Sequence, residues 1–248
     1  MIIIKSDEEI ELMRQAAVPT KEMLENLSSI IKPGMSTKDV DDYVEEYILK
    51  SGMKPAFKGY SGYPACACVS VNEEVVHGIP SKKRILMEGD IVSVDLGTIY
   101  KGFYSDAART YPVGKISEKH QKLIETAEKS FFAGIFFARK GNRLGDISHA
   151  IQECVEAEGF SVIRDYVGHG VGRNMHEDPM IPNYGKANHG PQLVPGMVLA
   201  IEPMIATGAY NVKVMPDGWT AVTKDGGFAA HYENTIVITD GDPILLTK

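Results

Sequence analysis

Asp95, Asp106, His169, Glu202 and Glu233 carry the clearest chemistry in this 248-residue chain. Each falls in a short stretch that reads as a strand or its edge. Four carboxylates and one imidazole form a donor set for a pair of metal ions. Carboxylate oxygens can bridge two cations, one imidazole moves the preference toward first-row transition metals, and two such ions generate and aim a hydroxide at neutral pH. The chemistry so indicated is hydrolysis.

The surroundings of each donor agree with that reading to different degrees. Asp95 and Asp106 belong to a hairpin in which Ile91–Gly97 returns through Gly102–Asp106. With the turn centred on Tyr100-Lys101, Asp95 stands opposite Asp106, and a cation between the two converts repulsion into binding. His169 lies in Gly168-His169-Gly170-Val171-Gly172, where missing side chains let the backbone bend closely around the imidazole, although a plain turn fits the same motif. Glu202 ends an apolar strand before Pro203, and Glu233 precedes the strand Ile236-Val237-Ile238. A buried glutamate needs compensation, and a salt bridge would serve as well as a metal. His77 and His176 can stabilise a substrate carbonyl or leaving amine at the rim of such a site. Taken singly, each reads equally as an ordinary surface or core histidine.

These residues must be positioned by an ordinary globular scaffold. The composition, 44% hydrophobic and 24% charged, suits one large core, and a single catalytic domain over residues 1–248 is expected. The net charge of −7 argues against a surface built for nucleic acid or anionic membrane, and the basic run Lys82-Lys83-Arg84 reads as a solvated turn. The longest apolar run, Phe131 to Ala138, is too short to span a bilayer, and the N-terminus lacks a charged leader, so a cytoplasmic location is expected. Cys66, Cys68 and Cys154 are an odd set without zinc-knuckle spacing, which suits buried thiols better than a disulfide. Cys66 and Cys68 share a face if their segment is a strand.

At an offset of 107 residues the chain repeats itself. Gly34 meets Gly141, Asp39 meets Asp146, Val40 meets Ile147, Val44 meets Ile151 and Gly52 meets Gly159. In the same register Leu86–Asp95 overlies Leu193–Glu202, so Asp95 corresponds to Glu202. Two related halves are implied, about 1–110 and 111–248, with the site where their sheets meet. Ser6-x-x-Glu9 opens a helix toward Ile31, with Pro19 expected to kink or break it. Ser36 starts a second helix ending at Gly52, Ser117 a third running toward Lys140, and Asp146–Glu158 a fourth. Residues 65–76, 91–113, 160–167, 197–206 and 212–238 carry strand signals. The fold class expected is α+β, with helices over a mostly antiparallel sheet.

The chain resembles the type I methionine aminopeptidases in their short bacterial form. The resemblance covers nearly the full length. Its most specific part is Tyr166–Gly172 through His176 to Asn183-Tyr184, joined by the Asp95/Asp106 hairpin, Ile201-Glu202-Pro203 and Tyr232-Glu233-Asn234-Thr235. It implies the duplicated pita-bread fold and removal of the initiator methionine from nascent chains whose second residue is small. Two divalent ions (Mn, Fe, Co or Zn) are implied, one chelated by Asp95, the other by His169 with Glu202, both bridged by Asp106 and Glu233. Glu202 would carry the proton, His176 would hold the carbonyl oxygen, and His77 would meet the scissile nitrogen. The implied methionine pocket is Phe57, Tyr60, Tyr63, Cys68, Met175 and Trp219. Many relatives have Cys where this chain has Phe57, Phe where it has Met175, and Gln where it has His231. The implied partners are N-termini of nascent polypeptides, handled by a monomer, with contact to the ribosome left open. No membrane and no sequence-specific nucleic acid are expected. With Ile2 second, the chain is expected to keep its own Met1. The rival readings are other pita-bread peptidases, which cleave before proline or act on dipeptides, and a non-catalytic peptide-binding relative.

Overall fold

Local sequence signals set the four helices in the computed structural model, which describes residues 1–248. The Ser6 hydroxyl accepts from the Glu9 amide while the Glu9 carboxylate accepts from the Ser6 amide, a closed capping box that starts α1 (Asp7–Ile30). Ser36 and Asp39 start α2 (Thr37–Lys50) in the same way. Ser117 caps α3 (Glu118–Ile135), and the Asp146 carboxylate accepts from the Arg143 amide at 2.8 Å to start α4 (Leu144–Ala157).

Two helix expectations change. Pro19 does not break α1, which runs on with Met13, Ala16, Ala17, Met23, Leu24 and Leu27 buried. Proline disturbs the carbonyls of the preceding turn. The bond lost is the one to the Gln15 carbonyl, and the helix is held at the next carbonyl instead: Ala16 accepts from Thr98 Oγ1 at 2.6 Å and from Ser105 Oγ at 3.2 Å, hydroxyls from the segment that leads into Asp106. The third helix stops at Ile135, short of Lys140. The amides of Phe137 and Ala138 reach three residues back, to Gly134 and Ile135, tightening the chain into a turn that buries Ala138.

Every strand pairing is antiparallel. The largest sheet has the order Glu177–Ile181, Gly168–Gly170, Val198–Ile201, Asn234–Val237, Ile244–Leu245. A three-stranded sheet sets Ile91–Leu96 between Ala67–Val71 and Ala107–Pro112. The helices cover these sheets: α3 and α4 pack with Leu199, Ile201 and Ile236, and α1 and α2 with Val69, Val92 and Val94. The expected strand regions all contain strands, but 160–167 holds only Ser161–Val162. Cys66 lies just before its strand and packs on the helix side, whereas Cys68 faces the site, so the two do not share a face.

The 107-residue offset is visible in backbone geometry. Gly34 and Gly141 have φ of 91° and 92°, and Gly89 and Gly196 have 98° and 86°. Isolated bridges join Ser36 to Ile85 and Arg143 to Gln192, the same pair of positions in each half. Between the halves, the Glu233 amide donates to the Ala108 carbonyl at 2.9 Å and Thr235 Oγ1 to the Asp106 carbonyl at 2.8 Å. A buried ion pair at 2.6 Å, Lys5 to Glu177, ties the N-terminal segment to the far edge of the large sheet. The seam thus runs through Asp106 and Glu233.

Candidate active site

The hairpin that bears Asp95 and Asp106 turns one residue later than its sequence suggested. Ile99 pairs with Tyr104, and Asp95 with Ala108, so Asp95 is not opposite Asp106. The turn residues are Lys101 and Gly102, both with positive φ, because a tight two-residue turn needs the left-handed conformation that Gly102 adopts at no steric cost. The pairing of Asp95 is therefore displaced by two residues. Side chains alternate with period two, so both carboxylates stay on one face and line the same cavity.

His169 sits in a central strand, not in a bend. Gly168–Gly170 runs between Glu177–Ile181 and Val198–Ile201. The flanking glycines are required by close approach of the neighbours: a Cβ at Gly168 would lie 2.4 Å from the Ala200 carbonyl oxygen, and one at Gly170 would lie 2.2 Å from that of Asp178. Glu202 follows the strand Val198–Ile201, and its carbonyl accepts from Asn183 Nδ2 at 2.9 Å. Glu233 joins two strands, Ala229–His231 and Asn234–Val237, beside the Arg109 guanidinium, which donates to its carbonyl and, at 2.7 Å, to Asn234 Oδ1.

All five residues converge. His169 Nε2 stands 3.6 Å from Asp106 Oδ2 and 3.5 Å from Glu202 Oε1. Asp106, His169 and Glu233 offer donor atoms within 4.8 Å of one another, and so do Asp95, His231 and Glu233. Burial pushes all four carboxylates up from their ordinary range, and neighbouring carboxylate charges add to it at Asp106, Glu202 and Glu233. Burial, then the charge of His176, lowers His169 to about 4.

The donor chemistry fits a cation. His169 Nδ1 is 2.9 Å from the Gly170 carbonyl oxygen, which can only accept, so the neutral ring carries its proton there and turns the Nε2 lone pair toward the carboxylates. A lone pair facing carboxylate oxygens is repulsive unless a positive ion lies between them. Asp95 Oδ1, Asp106 Oδ1 and Glu233 Oε1 are also buried without hydrogen-bond partners.

The donors open into a cavity of about 200 Å³. Phe57, Tyr60, Tyr63, Cys68, Met175, Trp219, His77 and His176 all line it, so every residue expected at the pocket is brought there. Tyr63 and Trp219 meet edge to face with centroids 5.1 Å apart. His176 lies at the mouth, its ring centroid 4.3 Å from that of His169 and its Nδ1 2.8 Å from the Tyr60 hydroxyl. His77 holds a left-handed φ of 61° and meets the faces or edges of Tyr166 and Trp219 at 5.4 and 6.1 Å. Burial, then the charge of His176, lowers its imidazole to about 4. Ser61, Val76, Tyr166 and Val167 complete the lining without having been expected there. His231 was expected only as a departure from relatives; its place two residues before Glu233, on the same face of an extended segment, was the signal that put it beside the donors.

Comparison with known proteins agrees with the geometry. Residues 11–240 match the metallopeptidase family M24. A methionine aminopeptidase of Clostridium acetobutylicum is 57% identical over 247 residues, covering 100% of this chain and 99% of that protein. The crystal structure of a methionine aminopeptidase from Thermotoga maritima superposes with a TM-score of 0.98 at 52% identity, all of both chains covered. A prolidase from Pyrococcus furiosus superposes at 0.81 with 26% identity, over 99% of this chain and 65% of that one. The shared architecture is the pita-bread fold, and the chain belongs to metallopeptidase family M24, among its methionine aminopeptidases.

Proposed function

We propose that this chain hydrolyses the first peptide bond of polypeptides that begin with methionine and continue with a small residue, using two divalent ions held by Asp95, Asp106, His169, Glu202 and Glu233. The observation that carries this reading is the pair of donor triples sharing Glu233 at the floor of an apolar cavity. Bound Mn, Fe, Co or Zn would supply Lewis acidity and lower the pKa of water into the neutral range. Identity near 50% to methionine aminopeptidases, against 26% to a prolidase, favours methionine over proline substrates.

The protein's own groups then have distinct tasks. The methionine side chain enters the slot of Phe57, Tyr63, Cys68, Met175 and Trp219, where aromatic edges and sulfur give polarizable walls. Tyr60 holds the His176 ring, which donates a hydrogen bond to the carbonyl oxygen as negative charge grows on it. Glu202 takes the proton of the attacking water and returns it to the departing amine. His77, kept neutral, contacts the amide nitrogen that becomes that amine.

The substrates so inferred are N-termini of nascent polypeptides, met in the cytoplasm. No helix here is long and apolar enough to cross a membrane. All donors come from one chain, which supports a monomer as the working unit and residues 1–248 as one catalytic domain of two halves. The test is release of free methionine from Met-Gly-Met and Met-Leu-Met by metal-free protein with each ion added in turn. Metal-dependent cleavage confined to the glycine peptide is expected. No release with any ion would sink the reading.

A further inference from the structure

His231 is only 1% exposed, and neither ring nitrogen has a hydrogen-bond partner. Its Nε2 stands 3.6 Å from Glu233 Oε2 and 3.7 Å from Glu202 Oε2, both too long for a hydrogen bond. The ring's place is built. The His231 amide donates to Thr110 Oγ1 at 2.8 Å, Thr110 Oγ1 lies 2.9 Å from the His231 carbonyl oxygen, and Ser93 Oγ holds that hydroxyl at 2.8 Å. The residue is therefore clamped with an unsatisfied imidazole pointed between two carboxylates.

Spacing says what would satisfy it. Two donors roughly 2.0–2.2 Å from one first-row ion stand about 3–4 Å apart. The separation from His231 Nε2 to Glu233 Oε2 falls in that range, and the donor atoms of Asp95, His231 and Glu233 all lie within 4.8 Å of one another. A lone pair, rather than an N–H, is what such a setting calls for.

We propose that His231 is a ligand of the ion held by Asp95 and Glu233, so that each of the two ion positions carries its own imidazole. This rests on the two-ion reading above. The second imidazole makes the Asp95 position favour nitrogen-seeking ions such as Co²⁺ and Zn²⁺ over Mn²⁺ more strongly than an all-oxygen position would.

The experiment is X-ray absorption of the wild-type protein loaded with two Co²⁺ ions, paired with anaerobic calorimetric titration of metal-free wild type and His231→Gln. The count of imidazoles per cobalt should average one in the wild type and fall to one half in the variant. Gln keeps a polar group of similar reach but no imidazole nitrogen. Its Co²⁺ affinity should drop at one position by at least roughly tenfold, and its Mn²⁺ affinity by less. An average of one half in the wild type, or unchanged Co²⁺ affinity in a folded variant, overturns the assignment while leaving the two-ion site standing. Failure of the wild type to take up two cobalt ions overturns both. The wild-type count needs no variant, so misfolding of His231→Gln does not blunt the test.

Discussion

At the scale of single residues, the site concentrates groups that the fold makes uncomfortable alone and useful together. Glu202 lies between His169 and His231, its carboxylate oxygens 3.5 Å and 3.7 Å from their Nε2 atoms, next to the donors that a substrate carbonyl would face. Replacing it with Ala should lower kcat by about 10²- to 10⁴-fold, the usual worth of a positioned general base, while circular dichroism stays that of the folded protein. Retained turnover in Met-Gly-Met cleavage would remove Glu202 from the proton-carrying role. His77 offers a separate pH signature. Burial holds its folded pKa near 4, below the ordinary histidine value, so the unfolded chain takes up the proton first as pH falls. Its contribution to stability is neutral above about pH 6.5 and increasingly unfavourable from there down to about 4. In metal-free protein, His77→Gln should therefore lose less melting temperature than wild type between pH 7 and pH 4.5. Parallel losses would show that the ring is not desolvated in solution.

At the scale of elements, the strand Gly168–Gly170 is the piece with least room to vary. Its backbone lies against the carbonyls of Ala200 and Asp178, so the neighbours that a new Cβ would meet are main chain and cannot rotate away. Gly170→Ala should destabilise the protein by about 1–3 kcal/mol or more in urea unfolding, because an overpacked core forces backbone shifts. It should also weaken metal uptake by moving His169. A variant with wild-type stability would mean that the three strands are spaced more widely than described. From sequence His169 stood only at the edge of a strand region, because three residues with two glycines carry no alternation and no β-branched side chain. The same physics explains α1, where the helical pattern was plain but the anchoring of the Ala16 carbonyl beside Pro19 by Thr98 and Ser105 depended on segments about 80 residues away.

At the scale of the molecule, the donor set straddles two halves. Asp95 and Asp106 come from the first, and His169, Glu202 and Glu233 from the second, with hydrogen bonds between Asp106, Ala108, Glu233 and Thr235 closing the seam. Ions bound there link the halves and relieve buried like charge, so loading should stabilise the whole fold rather than a loop. At a free ion concentration 100 times Kd, each site should add about 2.7 kcal/mol. For a chain of this size that corresponds to roughly 2–4 °C in Tm per kcal/mol, read by calorimetry as one transition moved upward. Two separate transitions, only one responding to metal, would show that the ions do not couple the halves.

The sequence by itself determined the helices through their caps, the duplication through glycines and buried positions at a fixed offset, and the convergent carboxylates through residue type and period-two spacing. These are local properties: a capping box, a left-handed glycine and the face of a strand depend on neighbours a few residues away. Even the misplaced turn between Asp95 and Asp106 left their common face intact, since a displacement of two residues preserves alternation. Only the tertiary structure decided the pairing itself, the close strand contacts that demand Gly168 and Gly170, the separate surroundings of Cys66 and Cys68, and the arrival of His231 between Glu202 and Glu233. Each of those depends on how far one strand lies from another, a distance set by packing of side chains remote in sequence.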